Sequence, residues 1–153
     1  MRTDKYQAEV VLDWISHMVH MGTGYYISVS NTIGAAGTLA LHITTSTKDV
    51  VLNLISSTNK TGTMVVNEGA TLVGGSTPVA YNANRNYSST ILSTFKQDAT
   101  PTGGATILTI LSSAGAPATF TMVLKKSTIY TITFTADSAT TIATISGFMD
   151  EEA

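Results

Sequence analysis

Three side chains near the start of the sequence have the types and spacing of a metal site. Asp13, His17 and His20 stand at i, i+4 and i+7, so a helix would place a carboxylate and two imidazoles on one face. A bound divalent ion wants a fourth ligand, and none is evident. Met21 and Val10 share the same face, so the pair of histidines reads better as hydrogen-bonded interface residues, and no metal is expected.

The other reactive residues fall short of a catalytic set. His42 lies in an alternating stretch and is expected on the polar side of a strand, with solvent or a cross-strand neighbour as its partner. Serine is abundant, but no G-x-S-x-G elbow occurs and no acid marks the third member of a triad. Asp49, Glu68, Asp98 and Asp137 fall mostly in turns, and Asp150, Glu151 and Glu152 in the tail, where they do not resemble the paired carboxylates of a glycosidase. Gly22-Thr23-Gly24 and Gly74-Gly75 lack the strand, helix and lysine of a phosphate-binding loop. The expectation is a protein that is not an enzyme and carries no cofactor.

The densest polar cluster is YNANRNYSST at 81–90. Tyr81 or Tyr87 would offer a stacking plane to a sugar, with Asn82, Asn84, Arg85 and Asn86 donating to its hydroxyls. Turned inward, the same residues would hold a loop, because Asn bonds neighbouring backbone and Arg can tie several carbonyls. The segment lies in a long connection, 74–105, bounded by Gly74, Gly75, Pro78, Pro101, Gly103 and Gly104. Such connections often use polar networks to fix their course, which favours the structural or subunit-contact role.

The frame around these residues is set by composition. Charged residues are 12% of the 153-residue chain, against roughly one quarter in ordinary soluble proteins, while Ser and Thr supply roughly another quarter. Thr is β-branched and polar, suited to the solvated face of a strand, so the chain reads as all-β. A net charge of -2 and a pI near 5.8 give no field for drawing in nucleic acid or an acidic membrane surface. With no cysteine, disulfides and thiolate sites are excluded. MRTDKYQAEVVLDW lacks the apolar core of a secretory signal, and no run of about 18 apolar residues appears, which points to a soluble protein made in a cytoplasm.

Residues 4–21 differ from the rest. Asp4 and Gln7 resemble a capping box, and Val11, Trp14, Ile15 and Met18 follow helical spacing until Gly22 and Gly24 stop it. VVLDWI would also serve as a strand, so residues 1–24 read as an N-terminal helix or extended arm. From Tyr25 the period becomes two. TLALHITT at 38–45 reads as a half-buried strand and VVLNLIS at 50–56 as a central one; TMVV, ATLV, TILTIL and ATFTMVL continue the series. In TIYTITFT at 128–135, Tyr130, Ile132 and Phe134 face one way, and a terminal hairpin is expected with TTIATISGFM at 140–149. Residues 25–153 therefore form a single β domain of about 7–8 antiparallel strands, a sandwich, jelly roll or small barrel.

ISHMVHMGTGYYISVS, the YNANRN element and the closing KKSTIYTITFTADSATTIATISGFM together resemble a group of small tailed-bacteriophage virion proteins of the capsid decoration, or cement, type. The matching positions are Ile15, His20 and Gly22, then Tyr81 to Asn86, then Tyr130, Ile132 and Phe134, and the similarity covers most of the chain. The resemblance implies a jelly-roll-like β-sandwich, usually a homotrimer, that binds the major capsid protein on the outer surface of the head and cements neighbouring capsomers. The chain ends DEEA, where the group often ends in aromatic and acidic residues. Trp14, Met18, Met21, Tyr25 and Tyr26, with His17 and His20 beside them, suit a subunit or capsid contact as well as they suit a helix capping its own core. The rival from composition is a tail- or fibre-associated domain that recognises a receptor glycan.

Overall fold

The computed structural model describes residues 16–151. It begins in a helix, α1 (16–21), so most of the expected helix at 4–21, including Asp13 and Trp14, lies outside the described residues. The helix stops at Gly22, whose φ of +73° suits a residue without a Cβ. Gly22 N–H donates to the Val19 carbonyl at 3.2 Å and Thr23 N–H to the Met18 carbonyl at 3.1 Å, the paired bonds of a Schellman cap.

Everything after the cap is strand and turn. The first four strands are β1 (Gly24–Ile33), β2 (Thr38–Thr44), β3 (Val50–Thr58) and β4 (Gly62–Glu68). Four short ones follow: β5 (Thr71–Val73), β6 (Tyr81–Asn82), β7 (Thr94–Gln97) and β8 (Thr100–Thr102). The last four are β9 (Ala105–Ser112), β10 (Ala118–Leu124), β11 (Ile129–Ala136) and β12 (Thr141–Glu151). One sheet has the order β10-β3-β12-β1-β6 and the other β7-β2-β11-β4-β9, with β5 and β8 paired separately. All the pairings between strands are antiparallel.

Without the four short strands, the orders become β10-β3-β12-β1 and β2-β11-β4-β9. Successive long strands alternate between the sheets except from β4 to β9, which is the eight-strand double Greek key of a jelly roll. The expected sandwich is present, and the strand order selects the jelly roll. The expected terminal hairpin is not: β11 pairs with β2 and β4, while β12 pairs with β1 and β3, so the turn at 137–140 crosses from one sheet to the other. Both flanks of β11 are already occupied, which leaves β12 no place beside it.

The core lies between the sheets. Ile27, Leu52, Leu54, Ile145 and Met149 from the first meet Leu39, Leu41, Met64, Ile132 and Phe134 from the second, and all are buried. Each such side chain stabilises the fold by about 1.5–3 kcal/mol relative to exposure. The alternation in β11 sends Tyr130, Ile132 and Phe134 into this layer, as its sequence predicts.

The long connection between β4 and β9 adds a strand to each sheet on the same side, β6 beside β1 and β7 beside β2. At the latter, Asp98 clamps β2: its Oδ1 accepts from Ala40 N–H at 2.9 Å and its N–H donates to the Ala40 carbonyl at 3.0 Å. Ala99, next to the exposed Asp98, is buried, as is Ala70. In consequence β2 is buried on both faces through its middle, where the sequence predicts only one. The local period is blind to a cover supplied by residues thirty to sixty positions away.

Candidate functional site

The 81–90 loop divides into an inner and an outer half. Tyr81 and Asn82 pair with Tyr26 and Tyr25 at the edge of the first sheet. The buried Asn82 amide donates to the Gly22 carbonyl at 2.7 Å and to Ser89 Oγ at 3.0 Å. Its Oδ1 accepts from Asn84 N–H at 2.8 Å, and Asn84 Oδ1 accepts from Asn86 N–H at 3.1 Å, giving two successive Asx turns. Ser89 Oγ also donates to Gly22, at 3.2 Å. The Tyr87 ring lies against Gly22 so closely that a Cβ there would sit 2.5 Å from it. These residues fasten the loop to the end of α1.

Arg85 does something else. It is exposed, and among the described residues it ties no carbonyl; its guanidinium sits 5.2 Å from the centre of the exposed Tyr81 ring. Of the residues expected to act together, Asn82 and Asn84 thus serve the loop's own structure, Tyr87 packs on Gly22 while remaining 48% exposed, and Tyr81 and Arg85 belong to the surface. Asn86 is also exposed and contributes its backbone.

Tyr81 opens onto a feature that no local spacing announces. Register places Thr121, Asn53, Phe148, Tyr26 and Tyr81 in one row across all five strands of the first sheet, on its outer face. Tyr26 and Phe148 approach to 5.1 Å between ring centres, tilted by 56°. One pleat further along stand Ser28, Ser146 and Ile55, with Ser28 and Ser146 joined at 2.8 Å. All of these but Thr121, together with Val79, line an open groove of about 370 Å³ whose wall carries no charged residue. The sequence does hold a signal for it: Tyr26 shares strand parity with Ser28 and Ser30, and Phe148 with Ser146 and Thr144, so both aromatics sit where solvated residues are the rule.

The expected contact residues near the N-terminus separate in the same way. Met18 and Tyr25 are buried, at 4% and 5% exposure, whereas His17, His20, Met21 and Tyr26 are exposed. Trp14 lies outside the described residues.

His42 is fully buried, not solvated. It stands opposite Thr131 across β2 and β11, and neither imidazole nitrogen nor the Thr131 hydroxyl makes a hydrogen bond. Burial holds the imidazole pKa below the ordinary histidine value, with the nearby Ala99 backbone and Asp98 charge opposing. Glu151 is equally unlike a tail residue. It ends β12 buried, accepting from Leu92 N–H at 2.6 Å and Ser93 Oγ at 2.7 Å. On the surface Lys125 pairs with Glu68 at 2.6 Å, and Glu68 also accepts from the Tyr130 hydroxyl at 3.0 Å. Both bonds hold the Glu68 carboxyl below its usual pKa. Among the described residues no three His, Asp or Glu side chains gather as a metal site would require.

The margin formed by β9 and β10 completes the surface. These are the outermost strands of the two sheets at the ends opposite β6 and β7. From Ala105 to Leu124 there is no charged residue, and Ile107, Leu111 and Val123 are 46%, 81% and 66% exposed. No protein-family model matches the chain, and no curated protein matches it.

Proposed function

We propose that the chain is a decoration (cement) protein of a tailed-bacteriophage capsid, a homotrimer seated on the outer surface of the head against the major capsid protein. The observation that carries the reading is the open β9/β10 margin. Proteins that remain monomeric blunt such edges with Lys, Pro, bulges or very short strands, because unpaired backbone beside exposed apolar side chains invites another chain. Here the strands run to eight and seven residues without a charge. β9 carries only one irregularity, at its pairing with Val66 and Asn67. A margin of that kind fits a protein whose working state is an assembly.

Two further features agree. The YNANRN motif that carries the family resemblance spends Asn82 on holding the loop to the end of α1 and Asn84 on the loop's own turn, as a scaffold would. A cement protein adds stability by burying surface shared among neighbours, and many copies multiply a modest contact. Its localisation would be the virion, after synthesis in the bacterial cytoplasm.

The test is direct. Purified protein is mixed with heads of the encoding phage that lack it, after light scattering has fixed its mass. The reading requires a trimer and saturable density at symmetry-related positions by electron microscopy. Binding to host cells with none to heads would reject it in favour of the receptor-binding alternative.

A further inference from the structure

We propose that the outer face of the first sheet is a carbohydrate-binding platform for a neutral, pyranose-based glycan. This goes beyond the assembly role and uses a different surface. A pyranose ring is amphipathic: its axial C–H bonds make an apolar face, and its hydroxyls form a polar rim. The groove repeats that division in two rows. Phe148, Tyr26 and Tyr81 occupy neighbouring strands, so their rings span about 10 Å at the usual strand spacing, the width of one or two sugar rings.

The polar partners stand at the right places. Ser28 and Ser146 lie one pleat away and offer hydroxyls that both donate and accept. At the other end of the aromatic row Thr121 donates to Asn53 Oδ1 at 2.5 Å, which orients the amide and leaves its N–H bonds to donate. Arg85 packs on the Tyr81 ring and braces it at the loop's tip.

The same inventory selects against other ligands. No charged side chain lines the groove, and Arg85 at its edge lies over the Tyr81 ring, so the lining itself offers no counter-ion to a phosphate, sulfate or carboxylate. The lining is mostly apolar, but Ser28, Ser146 and Asn53 set hydrogen-bonding groups in it that an acyl chain would leave unused. The volume of about 370 Å³ falls at the lower end of small-ligand sites. The site differs from the glycan site that the sequence of the 81–90 loop invites. Asn82 faces inward, Asn84 is spent on the loop's own turn, and of that set only Tyr81 lines the groove.

The experiment uses the intact protein and saturation-transfer NMR with maltotriose, cellotriose, chitotriose and the methyl glycosides of galactose and mannose. Saturation should reach the ring C–H protons of at least one probe. Tyr26→Ala and Tyr81→Ala should each weaken that binding by about tenfold, the loss expected when one stacked ring goes. Both side chains are more than half exposed, so the variants should keep their unfolding midpoint. Saturation of no probe, or saturation unchanged in both variants, would overturn the proposal. So would loss of head binding in Tyr26→Ala without sugar binding in the parent, which would give the face to the shell. Head binding by a protein that ignores every sugar would sink this inference alone and leave the decoration reading standing.

Discussion

The side-chain amide of Asn82 donates to the carbonyl of Gly22 at 2.7 Å, across sixty residues of sequence, and so ties the mid-chain loop to the point where α1 ends. Removing the side chain would leave the Gly22 carbonyl only the longer Ser89 Oγ bond, at 3.2 Å, and would take from Asn84 N–H the acceptor it has in Asn82 Oδ1. Asn82→Ala should cost about 1–3 kcal/mol in denaturant unfolding, the usual penalty for such a loss. Arg85→Ala removes only an exposed stacking contact and should cost about 0.5–1 kcal/mol or less. The reverse ranking would mean that Arg85, not Asn82, organises the loop.

Gly22 makes a second, independent demand. Its φ of +73° is left-handed, and a Cβ would collide with the Tyr87 ring. Gly22→Ala should lose about 1–2 kcal/mol to the backbone conformation alone. Steric strain adds to that, so Tyr87→Ala in the same chain should recover part of the loss, and a thermal-melt double-mutant cycle reads the coupling. Strict additivity would place the ring away from Gly22.

His42 gives the fold a pH dependence with a definite sign. Its folded pKa is lowered by burial, so as pH falls below about 6.5 the unfolded chain takes up a proton before the folded one does. Stability should therefore be flat above that value and decline beneath it, until the folded pKa is passed. His42→Leu should flatten the part of the slope between pH 7 and 5 in urea midpoints. A slope that survives the substitution would have another source. Glu68, also lowered, adds a loss of the same direction at more acid pH, below the ordinary carboxylate range.

The β9/β10 margin can be tested without touching the core. Leu111→Lys with Val123→Lys puts two charges on side chains that are largely exposed, so each subunit should fold as before. If the parent is the trimer proposed above, light scattering should report a fall to the single-chain mass of 16.0 kDa. An unchanged mass would move the subunit contact elsewhere.

How far the sequence was legible depended on distance along the chain. ATFTMVL at 118–124 is β10 to the residue, and the inward set Tyr130, Ile132 and Phe134 follows from alternation alone. Composition and period sufficed for the all-β sandwich because both act locally. The β11–β12 hairpin failed because adjacency in sequence does not choose partners once both flanks of a strand are taken. His42 was misplaced for a related reason: its cover comes from Ala99 and Asp98, and nothing within TLALHITT records them. The groove was least legible of all. Tyr26, Tyr81 and Phe148 are drawn together only by register, and the one local sign was an aromatic standing at a serine's parity.

The ladder that joins β1 to β12 runs from Gly24 opposite Asp150 to Ile33 opposite Thr141. On its other side β1 meets only the two residues of β6. Ser28 and Ser146, paired midway along that ladder, stand 118 residues apart in sequence, and such non-local pairing is slow to form. The first sheet, and with it the groove that Tyr26 and Phe148 line, closes only once the chain has been made through Asp150.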